Sequence, residues 1–74
     1  MLQKLKDKIL EYVEYDGEIT EETEIVKDLR MSSLDIMMML GDLENEYNIS
    51  FSPEDIENVI TVGDFVKLML KKIK

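Results

Sequence analysis

The stretch Asp28-Leu29-Arg30-Met31-Ser32-Ser33-Leu34-Asp35 offers one hydroxyl of interest, on Ser33, where a methionine-rich helix should begin. The chain has no histidine and no cysteine. A serine nucleophile needs a neighbouring base to take its proton, and no lysine adjoins Ser33 in sequence, so a serine hydrolase is excluded. No catalytic residue is expected; the serine is better suited to being modified by another enzyme. A helix N-terminus favours an anion, so a phosphate on Ser33 would meet open amides and the positive end of the helix dipole. Ser32 and Asp35 have capping-box spacing, which makes Ser32 the cap and Ser33 the first helical residue with its hydroxyl outward.

Metal chemistry finds no support. Asp16-Gly17-Glu18-Ile19 looks like the centre of a calcium-binding loop. With Gly17 at the sixth loop position, however, Tyr12 and Thr23 fall where a carboxylate and a bidentate glutamate are required. Without His or Cys, a carboxylate-only site for another metal would be weak.

The elements that must position Ser33 read as four helices. Leu2, Leu5, Ile9, Tyr12 and Val13 recur at helical spacing, predicting a first helix near residues 2 to 15 that Asp16-Gly17 stops. Residues 16 to 31 form a long connection anchored by Ile19, Ile25, Val26 and Leu29, with room for one short helical turn. A second helix runs from Ser32 or Ser33 to about Tyr47. Ser52-Pro53-Glu54-Asp55 starts a short third helix carrying Ile56, Val59 and Ile60. Thr61-Val62-Gly63-Asp64 starts a fourth, burying Val62, Phe65, Val66, Met69 and Ile73, with Lys71, Lys72 and Lys74 at its negative end. The fold class is all-α, and residues 1–74 form one domain near the lower size limit for a single apolar core.

The net charge is −8, and no Lys or Arg lies between Met31 and Val66. Such a region repels nucleic acid and anionic lipid and steers toward basic protein surfaces, although small domains are also acidic simply to stay dispersed. Met1-Leu2-Gln3-Lys4-Leu5-Lys6 mixes charged with apolar residues, unlike a signal peptide, and no apolar run is long enough to span a bilayer. A cytoplasmic monomer is expected.

Projected at about 100° per residue, helix 2 shows two apolar stripes. Ile36, Met39, Leu40, Leu43 and Tyr47 should face the core. Leu34, Met37, Met38 and Gly41 lie opposite, flanked by Asp35, Asp42 and Glu46. Either the domain packs this helix from both sides, or the second stripe is a docking face, for which methionine is well suited. Gly41 costs roughly 1 kcal/mol against Ala in a helix interior, which suggests close approach of a partner or ligand.

These residues carry a resemblance to acyl carrier proteins that spans nearly the whole chain. It rests on Asp28-Leu29, Ser33-Leu34-Asp35, Leu43-Glu44-Asn45-Glu46-Tyr47 and Ile60-Thr61-Val62, in the order of helices the family has. The resemblance implies a four-helix bundle of acyl-carrier type, with Ser33 carrying 4'-phosphopantetheine attached by a phosphopantetheinyl transferase. That arm would supply the thiol this chain lacks. It further implies that Asp35, Asp42, Glu44 and Glu46 meet basic patches on acyl- or aminoacyl-handling enzymes while Leu34 and Met37 enter apolar pockets. Met39, Leu43, Ile56 and Ile60 would line a cleft for the carried chain. Ser32 stands where the family has aspartate, Arg30 and Met31 replace a glycine and a small residue, and Met38 replaces a common acidic contact. Helix 2 is therefore expected to present a more apolar face, with Met38 and Gly41 part of it, to specialised partners. The competing function is an interaction module of the same fold whose Ser33 stays unmodified.

Overall fold

The computed structural model describes residues 1–73. Four helices, α1 (Leu2–Leu10), α2 (Ser33–Tyr47), α3 (Pro53–Glu57) and α4 (Val62–Ile73), surround one core, and no strand occurs among the described residues. Leu5 and Ile9 of α1, Met39 of α2, and Val62 and Met69 of α4 are fully buried.

α1 is shorter than its periodicity predicts. It closes at Glu11, whose N–H turns back to Lys8 in a tighter i→i+3 bond, and Tyr12 bonds Ile9 in the same way. The aromatic and β-branched residues that follow are weaker helix formers, and Tyr12 leaves the helix to donate its hydroxyl to Asp42 of α2.

The long connection is ordered by backbone bonds to the α3–α4 junction. Ile25 N–H donates to Ile60 O at 3.0 Å and Val62 N–H to Thr23 O at 2.8 Å, around a single antiparallel bridge between Glu24 and Thr61. Gly63 N–H donates to Glu21 O at 2.8 Å, and a Cβ at position 63 would itself lie 2.8 Å from that oxygen, so the approach requires glycine. Ile19, Ile25 and Leu29 are buried as expected, joined by Met31 and Thr23. Val26, expected as an anchor, is exposed. The turn closed by Leu29 N–H on Glu24 O directs Ile25 and Leu29 inward and the intervening Val26 outward.

α2 and α3 begin with complete capping boxes, Ser32 with Asp35 and Ser52 with Asp55. α2 ends at Asn48, which adopts the left-handed conformation (φ 55°) and closes on Glu44 O. α3 ends at Glu57, so Val59 and Ile60, expected within it, lie beyond; Val59 is half-buried and Ile60 exposed. In α4, Val62, Phe65, Val66 and Met69 are buried, and Phe65 meets Phe51 edge-to-face at 6.0 Å. Ile73, expected inside, is exposed in the last turn, past the end of the core. Lys72 in that turn reaches Asp55 of α3 at 2.7 Å.

Candidate cofactor-attachment site

The approach to α2 assigns each residue a separate task. Asp28 accepts the Glu24 N–H at 2.8 Å and ties down the turn, while Arg30 takes a left-handed conformation (φ 56°) and reverses the chain. Met31 plugs into the core. Ser32 Oγ accepts the Asp35 N–H at 3.1 Å, and an Asp35 carboxylate oxygen accepts the Ser32 N–H at 3.3 Å. Ser33 follows as the first helical residue, exposed, its hydroxyl not used by the cap.

From Ser33 the outward stripe continues with Leu34, Met37 and Met38, exposed by 66%, 69% and 48%. Side chains of this size left that open form an apolar ridge rather than a packed face. Gly41 extends it. A Cβ there would meet nothing within 4 Å, so no neighbour in this chain requires the glycine. Its bare backbone helps form a shallow depression with Met37, Phe51 and Pro53.

The four acids expected to meet partners are each engaged inside the molecule. Asp35 closes the capping box. Asp42 accepts the Tyr12 hydroxyl, which raises the phenol's pKa above its ordinary value. Glu44 accepts the Phe51 N–H at 2.8 Å and fixes the link to α3. Glu46 pairs with Lys8 at 2.6 Å, and that contact raises the lysine's pKa; Glu11 stands 3.6 Å from the same ammonium. Glu46 therefore contacts α1, and Asp42 the segment just beyond it. Beyond α2, the Lys72 ammonium holds the Asp55 carboxyl down at about 2, and hydrogen bonds from the Thr61 and Ile60 amides lower that of Asp64.

An apolar cavity of about 40 Å³ lies between α2, α3 and the long connection, lined by Ile25, Val26, Ile36, Met39, Ile56 and Phe65 among others. Of the four expected cleft residues, it brings together Met39 and Ile56. Leu43 lines a polar recess against α1 with Lys4, Lys8 and Tyr47, because it sits one turn further along α2. Ile60 points outward, its carbonyl held by Ile25. Ile25 and Val26 are lining residues that the sequence did not reveal, since the pairing of Ile25 with Ile60 at the α3–α4 junction brings this segment there.

A protein-family model described as a phosphopantetheine attachment site matches residues 3–69. The chain is 34% identical over 74 residues to an acyl carrier protein of Thermotoga maritima, covering 99% of this chain and 91% of that one. It is 35% identical over 68 residues to an acyl carrier protein of Helicobacter pylori, covering 90% and 87%. A solved structure from Mycobacterium tuberculosis, assigned as an acyl carrier protein, superposes with a TM-score of 0.85 at 28% identity, over 95% of both chains. Sequence, fold and helix order agree, and the chain belongs to the phosphopantetheine-attachment family of acyl carrier proteins, whose cofactor is a covalently attached 4'-phosphopantetheine.

Proposed function

We propose that the chain holds an acyl or aminoacyl group as a thioester on a 4'-phosphopantetheine arm attached to Ser33 and presents it to partner enzymes, acting as a monomer in the cytoplasm. The observation that carries the attachment site is the division of labour at the start of α2. Ser32 serves as cap, so the exposed Ser33 hydroxyl is left available at the first helical position. The bound arm supplies a terminal thiol, which no side chain of this sequence can offer.

The ridge of Leu34, Met37 and Met38, continued by Gly41, is the docking face in this reading, and Asp35, Asp42, Glu44 and Glu46 form its charged border. The cavity beside Met39 and Ile56 has room for about one to a few waters. It suits a short or weakly sheltered cargo unless the five-residue α3 shifts to admit more. No described helix is long and apolar enough to cross a membrane.

The test is incubation with coenzyme A and a broad-specificity phosphopantetheinyl transferase, read by intact mass, with Ser33→Ala as negative and an established carrier as positive control. Gain of one arm by the wild type alone is expected. No gain beside a modified positive control would favour the unmodified interaction module, a reading that Ser32 in place of the family aspartate supports.

A further inference from the structure

We infer that Arg30 binds the phosphodiester joining the arm to Ser33 and so positions the root of the arm. The inference rests on the assignment of Ser33 as the attachment residue. Arg30 is exposed and holds a left-handed backbone (φ 56°), which side chains of L-residues adopt at a cost and glycine adopts freely. Where the family pattern has glycine, this chain accepts that strain and gains a guanidinium.

No ion-pair partner among the described residues occupies that group. The adjacent acids are committed to backbone amides, Asp28 to Glu24 and Asp35 to Ser32. Arg30 is also the last cation before Lys67. Ser33 lies three positions further on, which limits their Cα atoms to about 10–11 Å apart even if the chain were fully extended. That span lies within the combined reach of an arginine side chain and a phosphorylated serine.

The chemistry matches. A guanidinium presents paired donors in a planar fork suited to two phosphate oxygens. The substitution at Ser32 acts in the same direction, because it removes a carboxylate next to the attachment point while Arg30 adds a positive charge. Asp35, the acid that remains, would repel the diester, and Arg30 offsets it.

The experiment uses phosphorus NMR of the arm-bearing protein at roughly 0.01 M and 1 M NaCl, since screening at the higher salt shortens the Debye length to about 3 Å. The wild-type diester resonance is expected to shift between the two conditions, and the Arg30 Nε–H resonance to move between the unmodified and modified forms. Arg30→Gly, which suits the backbone and should fold, is expected to lose the salt-dependent shift; Arg30→Lys should keep part of it. Superimposable phosphorus spectra for wild type and Arg30→Gly at low salt would overturn the contact while leaving Ser33 as the attachment residue. Absence of any mass gain on the wild type would instead remove the Ser33 assignment and the Arg30 contact with it.

Discussion

Met37, Met38 and Met39 are the same side chain three times in succession, yet the first two are 69% and 48% exposed and the third is fully buried. Each residue advances α2 by about 100°, so neighbours in sequence become occupants of different surroundings. The inner face, with Met39 and Leu43, belongs to the core it shares with α1, α4 and the long connection. The outer face, with Leu34, Met37 and Met38, stays largely open to solvent. Two environments on one helix separate the residues that make the fold from those free to make contacts.

The contrast breaks most visibly if the inner face is truncated. Met39→Ala is expected to cost about 2–5 kcal/mol, the range for emptying a packed methionine site, measured by urea unfolding. A loss no greater than that of Met37→Ala would erase the distinction between the faces. Gly41→Ala is expected to stabilise the domain by roughly 1 kcal/mol, because the added methyl meets open space and improves helix propensity. Slower modification by the transferase in that variant would sharpen the view that the bare backbone serves a partner.

Acid unfolding probes the contacts that tie the surface together. Asp55 has a native pKa of about 2, below its ordinary 3.8, so its stabilisation is complete above about pH 4 and fades as pH falls toward 2. Asp55→Asn should flatten that part of the stability profile; an unaltered slope would show that the Lys72 contact contributes nothing. Leu34→Asp should change stability by no more than about 0.5 kcal/mol while slowing transferase modification. Loss of the helical circular-dichroism signal in this variant would place Leu34 with the core.

How much was readable from sequence differs along the same lines. The caps of α2 and α3 and the buried stripe of α4 follow from local spacing, since a serine and an acid three residues on satisfy each other without help. The outer face of α2 was equally legible because it depends only on helical period. The long connection was not. Local bonds, Leu29 N–H to Glu24 O and Met31 N–H to Ile25 O, accompany Val26 facing out and Met31 facing in. Thr23 and the cavity-lining Ile25 are held by backbone pairing with Val62 and Ile60, more than thirty positions away. The early stop of α1 has a similar origin, in a hydroxyl bond from Tyr12 to Asp42. The internal use of Asp42, Glu44 and Glu46 was hidden for the same reason: composition reveals a carboxylate, and only the fold reveals its partner.

The pair between Glu46 and Lys8 has a kinetic consequence. A cationic side chain arriving at Glu46 must displace an ammonium already 2.6 Å away, so local binding is an exchange of one ion pair for another with little net gain. The long-range field of a chain with net charge −8 is unaffected by that exchange and still accelerates approach. Encounter frequency and residence time are thereby set by different parts of the molecule, the former by total charge and salt, the latter by how well a partner covers Leu34, Met37 and Met38.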